Sequence, residues 1–169
     1  MTRFMDKKYK IGLSIIAVVI IMIIFLLLMN TQSEISEGKF AIYLMENDES
    51  VISDVEIISY NKTSHEIKLT EVGFNKIEAL EISVSGEPFI IKLNGKEMYN
   101  GSFWTSISSL GYSGVVIMTT TWINGEFVYP KNSIWIRKGY PSSEFFEGDD
   151  PRNNSEIFGY FQSIGKLIQ

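Results

Sequence analysis

Cysteine is absent from this chain of 169 residues, histidine occurs once and proline four times. The lack of cysteine excludes disulfides and a thioether-linked lipid anchor, so any folded part must hold through its core alone. Because His65 is the single imidazole, a zinc site would need three carboxylates around it, an uncommon donor set. Ser64 and His65 are adjacent at the start of an extended run, where successive side chains point to opposite faces, so they do not form a nucleophile and its base. No glycine-rich loop follows a strand-like run, which removes a nucleotide-phosphate cradle. Asp149 and Asp150 lack the alternating oxygen ligands of a calcium loop. Internal repeats and low-complexity tracts are missing too. The expectation is a domain that is not an enzyme, with no metal and no cofactor.

What the chain does have is an apolar run, Ile11 to Met29, without one charge. As a helix it spans about 28 Å, close to the ~30 Å hydrocarbon core of a bilayer. Most of its residues are Ile, Leu, Val or Phe, and at about −0.3 to −0.6 kcal/mol each they favour insertion by several kcal/mol. Arg3, Lys7, Lys8 and Lys10 precede the run against one acid, Asp6, so the positive-inside rule keeps the N-terminus in the cytoplasm. A cleaved signal peptide has a shorter apolar stretch, about 7 to 15 residues, and a small-x-small site. Thr31-Gln32-Ser33 is a poor match to that site. A retained anchor is expected: a cytoplasmic tail over 1–10, a transmembrane helix over 11–30, a polar linker over 31–39 and an extracytoplasmic domain over 40–169.

The whole chain carries −5, and setting aside the four basic residues and one acid of the tail leaves the exported part at −8. That sign argues against nucleic acid and against an anionic membrane surface as partners. An exported part of this size suits one domain with a self-sufficient core.

Along that domain, FAIYLME from Phe40 alternates as a first strand. Ser53-Asp54-Val55-Glu56 has the spacing of a capping box, which predicts a short helix through Ile57 and Ile58. A turn at Asn61-Lys62 leads into HEIKLT, with Ile67 and Leu69 on one face. Thr70 is placed to cap a helix from Glu71 whose apolar side is Val72, Ile77 and Leu80, with Phe74 nearby, and Gly73 weakens it by up to about 1 kcal/mol. In PFIIKL-NG-KEMY, Asn94-Gly95 predicts a two-residue type I′ hairpin. GVVIMTTTWI reads as a strand, Asn124-Gly125 as a second hairpin turn, and SIWIRKGY as a strand with Ile134 and Ile136 opposite Trp135 and Arg137. Asp149-Asp150-Pro151 predicts a helix start, and Ile157, Phe161, Ile164 and Ile168 recur at helical spacing behind it. The class is α+β: a mostly antiparallel sheet with helices on one face.

Two constellations are candidates for binding. Tyr99, Phe103 and Trp104 are interleaved with Ser102, Thr105, Ser106, Ser108 and Ser109, and rings with hydroxyls are what a peptide- or glycan-binding rim uses. The same residues equally make core rings and turn serines, the reading that the usual fate of aromatic rings favours. Arg152 follows Pro151 at the expected helix start, where a cation opposes the dipole, so it calls for an acid: Glu147, Asp149 or Asp150. An alternative makes the chain an envelope hydrolase using Glu144, Glu147, Asp149 and Asp150, whose mark would be two carboxyls about 5 to 9.5 Å apart in a cleft.

VISDVEIISY, EIKLTEVGFNKIEAL, GEPFIIKLNGKEMYNG and NNSEIFGYFQSIGKL together resemble the head part of the first periplasmic domain of SecD, a membrane subunit of the bacterial and archaeal protein-export machinery. The likeness covers most of 51–101 and the closing segment, where Gly165-Lys166-Leu167 is similar to that family's tail. SecD has several membrane spans forming a proton-driven module, whereas one is expected here, and YNGSFWTSISSL and WINGEFVYP have no counterpart in it. The resemblance implies a fold in a prokaryotic envelope and a capacity to touch extended polypeptides, with no motor role. The Phe-Trp and Asp-Pro-Arg segments also resemble small anchored proteins of unknown function, from which no activity follows. The function expected is a non-catalytic, single-pass membrane protein whose external domain binds an envelope component or exported polypeptide. An accessory of the export machinery is the alternative that the resemblance adds.

Overall fold

The structure, a computed structural model, describes residues 39–119, 121–123, 126–128 and 132–169, together with Ile20 and Met22. The expected tail, the membrane helix apart from Ile20 and Met22, the linker up to residue 38 and the Asn124-Gly125 turn lie outside the described residues. Among the described residues no helix is long and apolar enough to cross a membrane. Gly38–Gln169 is a compact unit by itself.

The architecture is α+β. In chain order the described elements are β1 (Phe40–Leu44), β2 (Ser50–Ser53), β3 (Ile57–Asn61), β4 (Glu66–Leu69), α1 (Glu71–Glu78), β5 (Glu87–Leu93), β6 (Lys96–Trp104), β7 (Tyr112–Met118), β8 (Thr121–Ile123), β9 (Glu126–Val128), β10 (Ser133–Tyr140), a 3-10 turn (Ser143–Phe145), α2 (Ser155–Ser163) and β11 (Leu167–Ile168). Nine strands form one mixed sheet in the order β11-β3-β4-β10-β7-β6-β5-β1-β2, and β8 pairs with β9 apart from it. Neighbours in the large sheet are antiparallel except β6 with β7 and β11 with β3.

Strand alternation sorts the side chains into two layers. Phe40 and Ile42, Phe89 and Ile91, Ile67 and Leu69, and Ile134 and Ile136 fill one face, which α1 covers with Ile77 and α2 with Ile157 and Phe161. The opposite face holds a smaller group, Trp104, Val116 and Met118, with Tyr112 and Tyr140 against it. The β5–β6 hairpin turns at Asn94 and Gly95, whose φ of 51° and 75° are the left-handed values that Asn and Gly tolerate. Thr70 caps α1 by accepting from the Gly73 N–H at 3.2 Å. Gly73 itself is required, since a Cβ there would sit 2.7 Å from the Glu56 Cβ.

Several expectations are corrected. The Ser53–Glu56 capping box exists, with the Glu56 carboxylate accepting from the Ser53 N–H at 2.8 Å and hydroxyl at 2.6 Å, yet it closes a turn between β2 and β3 and starts no helix. Ile57 and the residues after it are claimed instead by β4 on one side and β11 on the other, tertiary pairing overriding a local signal. Helix α2 starts at Ser155, capped by Asn154, which accepts from the N–H groups of Glu156 and Ile157; Asp150 accepts from the Arg152 N–H at 3.1 Å and closes a turn over 151–152 instead. The helical stripe stops at Phe161. Ile164 is the C-cap and Ile168 lies in β11, beyond Gly165 at φ 70°. Val72 is exposed, and GVVIMTTTWI divides into β7 and β8.

Candidate functional site

The aromatic and hydroxyl segment after the hairpin does not form a rim. Tyr99 is half-buried against the helix-covered core and Phe103 is completely inside it, whereas Trp104, adjacent in the strand, is buried on the other face. Burial pushes the Tyr99 phenol well above its ordinary range. Residues 105–111 then form a crossover: β6 and β7 are parallel, in register Trp104↔Met118, so the connection must run back along the ladder before β7 begins. Such returns usually take a dozen or more residues. This one is a short loop, held down where the Tyr140 hydroxyl donates to the carbonyls of Ser106 at 3.2 Å and Ser108 at 3.1 Å. Ser106 is thus part of a clamped connection.

Arg152 is placed differently. Its Nε and Nη2 donate to the two oxygens of Asp150 at 2.8 and 2.7 Å, and its Nη1 donates to the Ile136 carbonyl at 2.8 Å. Three of the five guanidinium donors are fixed, and the paired charge holds the Asp150 carboxyl at about 2. The segment before α2 is thereby tied to β10.

The tie lies where β10 outruns its neighbour. The last rung with β4 is Trp135↔Glu66, followed by the Ile136 N–H donating to the His65 carbonyl at 3.1 Å. Beyond it no strand among the described residues pairs with β10 along that edge, Gly139 is packed against residues 142–146, and ladder alternation turns the Lys138 N–H and C=O to the same side as those of Ile136. This edge floors a depression of about 390 Å³ lined by Ser64, Trp135, Arg137, Lys138, the Ser142–Ser143 pair and Arg152, with backbone of Ile136 and Gly139 between them. Lys138 lies 3.8 Å from Asp150. Arg137 is exposed and makes no ion pair among the described residues. Asp150 contacts two of the three cations, Arg152 and Lys138, so one negative charge stands against three positive ones on a chain that is negative overall.

Beside it His65 is buried, shares a 2.9 Å hydrogen bond through Nδ1 with the Tyr60 hydroxyl, and stacks on Phe158 of α2. Burial first, then the charges of Arg152 and Lys138, push its imidazole below the ordinary range, with Asp150 acting against them. Among the described residues no group of His, Asp and Glu could hold a metal ion.

The other acids singled out from the sequence are dispersed. Glu144 and Glu147 are exposed around an open hollow with Tyr112 and Phe145, and Asp149 is exposed as well. Of the five candidate binding residues Arg152 alone lines the basic depression. Trp135, Arg137 and Lys138 were legible only as a strand; their unpaired edge depends on β4 being shorter than β10, which no local pattern announces. No family model, no curated protein and no solved structure matches the chain.

Proposed function

We propose that this chain is a single-pass membrane protein, anchored through residues 11–29 with its N-terminus in the cytoplasm, whose external domain binds an envelope component without transforming it. The anchor rests on the uncharged apolar run and on the basic residues before it. The observation that carries the binding role is the basic depression beside β10, where Arg152 is locked in place and Arg137 has no ion-pair partner among the described residues. Cations held on a rigid strand edge are a recognition device, whereas a solvated surface charge needs no such support. A carboxylate hydrolase draws less support, since Glu144, Glu147 and Asp149 are exposed and Asp150 is ion-paired. The likeness of 51–101 to the SecD head keeps exported polypeptide among the components that could be bound.

The test is made in cells with the full chain. A tagged protein should resist carbonate extraction and be digested by protease added outside, and it should co-sediment with isolated envelope material less well after Arg137→Gln. Release by carbonate, or protection from protease, would overturn the topology. Crosslinks confined to translocon subunits would instead make the chain an accessory of the export machinery.

A further inference from the structure

We propose that the depression beside β10 binds the acidic group of a saccharide, either a phosphorylated sugar or a uronic acid, as borne by anionic envelope polymers; this rests on the reading that the domain is displayed to the envelope. Three features point to that ligand chemistry together. The first is charge: Arg137, Lys138 and Arg152 all line the depression, Arg137 and Lys138 from opposite faces of β10, and Asp150 is in contact with two of them, Lys138 and Arg152. Arg152 keeps two donors after its three fixed bonds, and a guanidinium already held in one geometry loses little entropy when it binds an oxyanion.

The second is the mixture of hydroxyls and backbone around those cations. Ser64, Ser142 and Ser143 line the same depression as the Lys138 edge, so donors and acceptors surround the charge, which suits a polyhydroxylated ligand. The third is Trp135, half-buried on β10, which gives the depression a ring against which the apolar face of a sugar can lie. An extended peptide fits less well. Past the last β4 rung, one outward-turned residue, Lys138, precedes the irregularity between Lys138 and Tyr140, and a single residue is too short an edge for an added strand.

Binding is measured on the full chain in detergent micelles, by calorimetry and by two-dimensional NMR of the indole N–H groups. The probes are glucose, glucose 6-phosphate, glucuronic acid and inorganic phosphate. The expected result is that glucose 6-phosphate or glucuronic acid binds about tenfold or more tightly than glucose, shifts the Trp135 indole resonance, and binds more tightly than inorganic phosphate. Whichever of the two acidic sugars binds better identifies phosphate or carboxylate as the recognised group. Arg137→Gln should weaken that binding about tenfold and Trp135→Leu should remove the preference over inorganic phosphate, each with an unchanged melting temperature. Equal binding of glucose and the acidic sugars, or no binding of any probe at 10-fold excess over a millimolar protein concentration of about 1 mM, overturns the ligand class. Inorganic phosphate binding as tightly as glucose 6-phosphate overturns the saccharide. If the probes fail while the chain still co-sediments with envelope material in an Arg137-dependent way, the ligand class falls and the envelope-binding reading stands. If the probes bind but external protease never reaches the domain, the envelope reading falls.

Discussion

The helix-covered face of the sheet completely buries Phe40, Phe89, Phe103 and Phe161 and nearly all of Tyr60, whereas on the opposite face the largest buried side chain is Trp104, whose indole N–H finds no partner among the described residues. On the first face Phe161 stacks on Tyr60 at 5.1 Å and meets Phe40 edge-on at 4.8 Å, and the polar groups at its margin are paired: Tyr60 with His65, Tyr160 with Asp54, Arg152 with Asp150. On the second, a loop replaces a helix. The crossover over 105–111 and the Tyr140 hydroxyl close it, leaving Ile107, Leu110 and Phe145 exposed around it. One sheet thus carries a thick, fully satisfied layer and a thin one with a polar group left over. Stability should reside in the first.

The sharpest way to break this contrast is Phe161→Ala, which empties the junction of α2 with the sheet. A loss of about 3–5 kcal/mol is expected in chemical denaturation, and a loss under 1 kcal/mol would show that the helices do not carry the fold. Next comes Asp150→Asn, which leaves Arg152 partly buried without its partner and should cost about 2 kcal/mol. The sign with pH follows from the depressed carboxyl: its contribution is complete above the ordinary carboxylate range, near pH 4, and disappears as pH falls toward the folded value of about 2. The variant should lack that acid limb of the stability curve.

His65 titrates on the same side of the comparison. Its folded imidazole is depressed by burial below the ordinary 6.5, so the unfolded chain takes up the proton first. Stability should begin to fall as pH drops below about 6.5, with a slope of at most about 1.4 kcal/mol per pH unit, and His65→Asn should flatten that slope in thermal melts from pH 7 to 5. The smallest effect is expected on the thin face. Trp104→Phe removes an N–H with no partner among the described residues and also part of a buried ring packed against Gly86, so it should cost about 1–1.5 kcal/mol; a loss as large as that of Phe161→Ala would show that the thin face carries as much of the fold as the thick one.

Local chemistry announced much of this architecture. The Asn94-Gly95 turn, the Thr70 cap and the shared face of Ile67 and Leu69 each depend on residues within a few positions of one another, and each forms as its pattern predicts. The departures that decide the topology and the site are long-range, whereas the shifted ends of α2 are local, set by the Asn154 cap and by Gly165. Ser53–Glu56 carries a helix-start pattern, but strand pairing by residues 66–69 and 167–168 decides the outcome. Arg152 was readable as a cation in need of an acid; that its third contact is the Ile136 carbonyl, sixteen residues away, was not. The basic depression joins Ser64 to Arg152 through the unpaired end of one strand, and differences in strand length leave no trace in hydropathy.

The reciprocal bonds at Ser53 have a bearing on how copies of this domain tolerate one another. β2 is one of the two terminal strands, with β11 at the other end, and a terminal strand is where a second molecule would zip on. At that rung the Ser53 N–H is taken by the Glu56 carboxylate and its carbonyl by the Glu56 N–H. Burial opposes the Glu56 charge, but hydrogen bonds from Lys76 and Ser53 outweigh it and keep the carboxyl below its usual range. The blockade therefore survives mild acidification, and a neighbour approaching β2 finds its last rung already occupied.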